Sequence, residues 1–142
     1  MDNLEVVRRI EDAYNRNDHA ALDELIAADL VAHTPGSEQL PPGLEGAKLS
    51  DRNAWQAFPD KHTEILDLFG EGDHVVAHVR MTGTNQGGLP WFGIAANGRA
   101  VDFDWIQISR HAPDGKVVET WAQIDVPKLL QQLGAMPGMG GA

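Results

Sequence analysis

The run Asp102-Phe103-Asp104-Trp105-Ile106-Gln107-Ile108 sets two carboxylates among large apolar residues. In a strand, the period of two puts Asp102, Asp104, Ile106 and Ile108 on one face and Phe103, Trp105 and Gln107 on the other. A carboxyl beside isoleucines loses solvation, which raises its pKa and suits it to proton transfer. The same carboxylates also fit a wet strand end or an ion pair. Arg80 is the natural partner, on a strand where it shares a face with Val76, His78 and Thr82. His33 closes a short strand-like run ahead of Pro35-Gly36. A histidine there is either a base working near neutral pH or one tied to a loop carbonyl. Further on, Glu119, Trp121, Gln123 and Asp125 share a face, and Asp125 also stands where it would cap a terminal helix.

Other chemistries lack their residues. There is no cysteine, which removes disulfides, thiolate metal sites and thiol nucleophiles. His74 and His78 are four apart, a metal-binding spacing on a helix, but in a strand that spacing separates them by about 13 Å. No metal and no cofactor are therefore expected. Neither a phosphate-binding glycine loop nor a Gly-x-Ser-x-Gly elbow is present.

The elements that must carry these residues follow from periodicity. Asp2 and Glu5 have capping-box spacing, and Leu4, Val7, Ile10 and Tyr14 recur at helical spacing, which predicts a helix over about 3–16. A second helix is predicted over about 19–28, carrying Leu22, Leu25 and Ile26, and a third over 44–58, anchored by Leu49, Trp55 and Phe58 and ended by Pro59. The segments 61–69, 74–84, 99–111 and 116–125 read as strands, joined at Gly70–Asp73 and Pro113–Gly115 by turns. A Gly-rich loop over 85–98 holds Trp91, and 129–133 reads as a terminal helical turn. Helices first and a meander last predict an α+β fold. Its three N-terminal-half helices would lie on a curved antiparallel sheet, a cone enclosing a hydrophobic pocket. Residues 1–134 form the expected single domain, and 135–142 a mobile tail.

The chain has 142 residues, 42% of them hydrophobic and 23% charged, enough for one core without staples. Its formal charge of −10 argues against nucleic acid and anionic membrane as partners. The N-terminus has no basic start and apolar run, and no stretch is long enough to span a bilayer, so a cytoplasmic location is expected.

Several segments together resemble a known family. They are Tyr14-Asn15-Arg16-Asn17-Asp18, His33-Thr34-Pro35, Phe58-Pro59-Asp60, Gly70-Glu71-Gly72-Asp73, Gly83-Thr84-Asn85, Asp114 to Trp121 with its Glu119, and Leu129-Leu130 to Gly134. In that order they are similar to the SnoaL-like polyketide cyclases, or ester cyclases, of the nuclear-transport-factor-2-like superfamily. The resemblance covers residues 1 to about 134. It implies a cone with a deep apolar pocket, a dimer or tetramer, and metal-free intramolecular aldol chemistry driven by an acidic residue. Ala122 stands where many members carry that aspartate. In the related ketosteroid isomerases the general base falls at the position of His33, and the neutral oxyanion-hole carboxyl near Asp104 or Asp102.

The resulting expectation is a cofactor-independent enzyme acting on a hydrophobic carbonyl compound, a cyclase or isomerase. His33 would be its base and Asp104 a neutral carboxyl, with Arg80 or Asp102 setting its charge and Asp125 in reserve. Tyr14, Trp55, Phe58, His78, Trp91 and Trp121 would contact the substrate. The alternatives are a non-catalytic small-molecule-binding module, a related hydratase or hydrolase, and a structural dimerising domain. A homodimer or larger homo-oligomer is expected through an outer sheet face, motivated by the apolar pair Phe103 and Trp105.

Overall fold

The computed structural model describes residues 1–136. The first helix, α1 (Asn3–Asn15), starts as its sequence requires: the Asp2 carboxylate accepts from Glu5 N at 2.8 Å and satisfies one of the free first-turn amides. The third predicted helix is α2 (Leu44–Ala57). Four strands match the predicted meander: β2 (His62–Glu71), β3 (His74–Thr84), β4 (Ala100–His111) and β5 (Val117–Ile124).

Two expectations are corrected. The helix predicted over 19–28 is a single 3-10 turn, Ala20–Glu24, and from Ile26 the chain is already a strand, β1 (Ile26–His33). Tertiary pairing overrides helical propensity here: Val117 N donates to Leu25 O, and β1 runs beside β5. Secondly, β1 pairs with β5 in parallel, so the sheet is mixed rather than antiparallel, in the order β1-β5-β4-β3-β2. No hairpin can join parallel neighbours; α2 and the β2–β4 meander fill the crossover. The expected terminal helical turn is present and starts earlier than 129. Asp125 caps α3 (Val126–Gln132), accepting from Lys128 N at 3.0 Å, with Pro127 in the first turn where its missing N–H costs nothing.

Register fixes the two faces of the open, curved sheet. Thr63, Ile65, Val75, Ala77, Val79, Met81, Phe103, Trp105, Gln107, Ser109, Thr120, Ala122 and Ile124 share the inner face. Register shifts within the β2–β3 and β4–β5 ladders supply local bends. The core forms three clusters: Val6, Ile10, Leu22, Leu25, Leu30 and Leu44 around α1 and α2; Phe58, Met81, Val101, Phe103, Leu129 and Leu133 around α3; and Val7, Val75, Ala77 and Val79 under α1. All three lie on the helix side of the sheet. Leu22 is fully buried and locks the 3-10 turn into the first cluster. Leu22→Ala should therefore cost about 2–5 kcal/mol, read as a lowered urea midpoint with an unchanged slope.

No helix among the described residues is long and apolar enough to cross a membrane. The expected tail falls, from residue 137 onward, outside the described residues.

Candidate functional site

Along α1, steps of four and three put Val7, Glu11 and Tyr14 on one stripe facing the sheet. Val7 packs on Val75, Ala77 and Val79, and Tyr14 on the first cluster. Glu11 lies between them, buried at 6% exposure, with its Oε2 3.1 Å from Thr63 Oγ1. Burial pushes the Glu11 carboxyl up to about 7, against the opposing pull of the Thr63 hydrogen bond and the Lys61 charge. Asn15 fixes Thr63 from the next turn: Asn15 Nδ2 donates to Thr63 O at 2.8 Å, and Asn15 Oδ1 accepts from Thr63 N at 2.9 Å. Thr63 Oγ1 is also 3.1 Å from Asn15 Oδ1. Its hydroxyl can thus donate to an ionised Glu11, or accept from a protonated Glu11 while donating to Asn15. Both charge states of Glu11 keep a partner.

A cation stands beside this carboxyl. Lys61 is buried, with its Nζ 3.1 Å from Asp51 and 4.6 Å from the centre of the Trp55 ring. His19 Nε2 is 2.7 Å from the other Asp51 oxygen, and Trp55 Nε1 donates to Tyr14 O at 3.2 Å. The 3-10 turn, α1, α2 and the start of β2 are thereby tied at one point. Burial, reinforced by the nearby Glu11 and Asp51 charges, holds the Tyr14 phenol above its ordinary range, so it stays a neutral donor.

Tyr14, Trp105, Gln107, Thr120 and Ile124 point to the helix side yet keep part of their surface accessible. The helices therefore leave part of this face of the sheet uncovered, with aromatic and aliphatic groups and a few polar ones on it. Trp105 Nε1 donates to Gln107 Oε1 at 2.9 Å, orienting that amide on this face. Concave, mostly apolar sites with a few aimed polar groups are the usual form of small-molecule sites.

The opposite face holds most of the residues singled out from sequence. His33, His78, Arg80, Asp102, Asp104 and Trp121 all point away from the helices. Asp104 is held well below the usual carboxylate range, chiefly by its hydrogen bond with His78, so the expected neutral proton donor is corrected to an ionised partner of a histidine. The isoleucines beside it are themselves exposed, and the raising effect of desolvation on Asp104 is outweighed by the His78 hydrogen bond. Arg80 bonds Asp102 through Nε at 2.8 Å and Nη2 at 2.6 Å and reaches Glu64 at 3.2 Å; the guanidinium holds Asp102 low as well. His33 Nε2 is 2.7 Å from Glu119, whose other oxygen accepts from Arg110 at 3.1 Å. These hydrogen bonds keep Glu119 ionised. Two strands and four residues separate His33 from Asp104, roughly 16 Å, too far for both to act on one bond. Such exposed pairs contribute little: Asp104→Asn should change stability by less than ~1 kcal/mol in chemical unfolding.

The remaining candidates are scattered. Phe58 is core, packed beneath Gly83, where an added Cβ would sit 3.0 Å from its side chain. Trp91 is exposed on the 85–98 loop beside Phe92, and Asp125 is the α3 cap. Of the expected substrate contacts, Tyr14 and Trp55 alone meet at the inner cluster. Glu11, Asp51, Lys61, Thr63 and His19 were not among the residues singled out. For Glu11 the sequence does carry a signal, a carboxylate on the apolar stripe of the first helix.

Comparison with known proteins supports the fold. The model of the SnoaL-like polyketide cyclase family matches residues 4–133. Among solved structures, TsrD from Streptomyces laurentii is 28% identical with a TM-score of 0.82, over 93% of this chain and 94% of that one. IdmH from Streptomyces antibioticus, a candidate polyketide cyclase, is 30% identical with a TM-score of 0.79, over 94% and 99%. AclR from Streptomyces galilaeus, a candidate hydroxylase, is 26% identical with a TM-score of 0.80, over 95% and 97%. Among curated proteins none matches the sequence.

Proposed function

The chain belongs to the SnoaL-like polyketide cyclase family, and from that premise we propose that it moves a proton next to the carbonyl of a hydrophobic compound bound on the helix side of the sheet, leading to ring closure or isomerisation. One observation carries the reading: a buried carboxyl, Glu11, poised near neutrality on the helix side of the sheet. A general base works best when its pKa lies near the operating pH.

In this reading ionised Glu11 takes the α-proton, and the carbonyl becomes an enolate. The neutral Tyr14 phenol and the Lys61 ammonium supply donors for the developing oxyanion, each worth about 3 kcal/mol when well aimed. The enolate carbon then attacks a second carbonyl in the same molecule, and protonated Glu11 returns its proton to the new alkoxide. In an isomerase the proton returns instead to a different carbon. Either way Glu11 ends as it began, and no proton is gained or lost. Thr63 supports both of its charge states. The reaction needs no cofactor, and an inner acid on α1 answers the missing carboxylate at Ala122 on β5.

The test is α-proton exchange of hydrophobic enolisable ketones in heavy water, followed by NMR. Exchange should rise with pH through about 7, as Glu11 ionises. A ketone that binds, as seen by chemical-shift changes, without exchanging would turn the assignment to a binding module.

A further inference from the structure

β2 is an edge strand, paired with β3 on one side only. At Thr63 its free side is covered by a side chain instead of a further strand: Asn15 bonds both the Thr63 N–H and the Thr63 carbonyl. A carboxamide carries the same donor and acceptor as a peptide group, so Asn15 completes the edge at this one residue. Glu11 and Asn15 are four apart on α1 and therefore reach the same stretch of β2.

Those backbone bonds fix which way the Asn15 amide faces. Turned over, it would set N–H against N–H and carbonyl against carbonyl. Asn15 thus shows its Oδ1 to the Thr63 hydroxyl, and that atom can only accept. The hydroxyl has one proton and two acceptors within reach, Asn15 Oδ1 and Glu11 Oε2, each at 3.1 Å. With Glu11 ionised, the proton turns to the carboxylate, in a charge-assisted bond roughly twice as strong as a neutral one. With Glu11 protonated, the carboxyl O–H donates to Thr63 Oγ1 and the hydroxyl proton turns to Asn15. The chain from Glu11 through Thr63 to Asn15 then runs from donor to acceptor without a break. Taking Asn15 away removes the last acceptor of the second arrangement and leaves the first intact.

We propose that Asn15 is a positioning residue for Glu11: by giving the Thr63 hydroxyl a second acceptor, it lets that hydroxyl turn with the charge of the carboxyl and so sets how readily Glu11 takes up and releases a proton. The proposal rests on the reading of Glu11 as the working carboxyl. Other groups also act on Glu11. Lys61, just ahead of β2, lowers its pKa, and Asp51 on α2, shared between Lys61 and His19, raises it. Tyr14 on α1 stays neutral, and β3 presents Val75, Ala77 and Val79 to the same side of the helix. Among the described residues, the hydrogen bonds of the Thr63 hydroxyl go to Glu11 and Asn15 alone. The two directions of its proton are therefore separable from the surrounding charges by substitution.

The test is a carbon-13 titration of the Glu11 side-chain carboxyl in single and double variants, with circular dichroism checking each fold. Thr63→Val removes the hydroxyl at nearly constant shape. It should move the Glu11 midpoint upward by about one pH unit, because the ionised form loses the stronger bond. Thr63→Ser keeps the hydroxyl and should restore the native midpoint. Asn15→Ala should move the midpoint the other way, downward by about half a unit, since the hydroxyl then serves the carboxylate alone. Asn15→Ser is too short to reach the same atoms and carries the same expectation where Asn15→Ala does not fold. In the Thr63→Val background the Asn15 change should move the midpoint no further. A loosened helix would instead shift it equally with or without the hydroxyl. Unchanged midpoints, shifts of the same sign for Thr63→Val and Asn15→Ala, or an Asn15 effect that persists beside valine would each overturn the proposal. Ketone exchange, measured on the same variants, separates this from the reading of function. Midpoints that move as expected in a chain that exchanges no ketone would uphold the role of Asn15 toward Glu11 and overturn the assignment of Glu11 as base.

Discussion

Replacing Glu11 by glutamine lowers α-proton exchange by about 10²–10⁴-fold, the usual contribution of a positioned base, and at the same time stabilises the protein at alkaline pH. The second effect follows from linkage. The folded-state pKa of Glu11 is raised to about 7 from an ordinary 4.5, so the folded chain holds a proton that the unfolded chain releases. The stability associated with that proton is complete below 4.5 and is lost as pH rises through about 7. The difference between those pKa values corresponds to about 3 kcal/mol. Glutamine has the same shape, stays neutral and can still meet the Thr63 hydroxyl. The variant should match the native Tm near pH 4 and exceed it by roughly 10 °C at pH 8. Gains in stability with loss of turnover separate a working carboxyl from a structural one. Equal melting curves at all pH values would show that Glu11 is not desolvated.

Lys61→Met should be the most destabilising single change near the site. It removes the buried cation from Asp51 and from the Trp55 ring, and leaves His19 as the remaining partner of that carboxylate. Breaking a buried pair from one side costs about 3–5 kcal/mol, which for a chain of this length lowers Tm by roughly 10–15 °C. There is a second, independent readout. The Lys61 charge lowers the Glu11 pKa, so its loss should move the midpoint of the pH–exchange profile upward. A variant that melts early with an unshifted midpoint would place Lys61 in structure alone.

The sequence shows some of this molecule plainly and some not at all. The alternation from His74 to Thr84 predicts β3 to the residue, because one side of that strand is covered and the other wet. The end of β1 is legible as the strand-like run that His33 closes, but its start is hidden, because Leu22, Leu25 and Ile26 have helical spacing and the pairing that makes a strand of Ile26 comes from β5, about 90 residues later. The alternation of β4 correctly groups Asp102 and Asp104 with Ile106 and Ile108, but period two does not say which group meets the helices. Phe103, Val101 and Ser109 take that side, and so the expected site lies on the outer face. Tyr14 and Trp55 are legible as large side chains on amphipathic helices. The ties among Asp51, Lys61 and His19 come from three segments that only the fold brings together. Glu11 is the case where more could be read: a carboxylate between Val7 and Tyr14 is buried as soon as that stripe is.

The most direct measurement is a carbon-13 NMR titration of the Glu11 side-chain carboxyl in the native chain, assigned by the signal missing from Glu11→Gln. The account predicts a midpoint near 7. A midpoint at the ordinary 4.5 would mean a solvated carboxylate with no special capacity to exchange protons at neutral pH, and would contradict it.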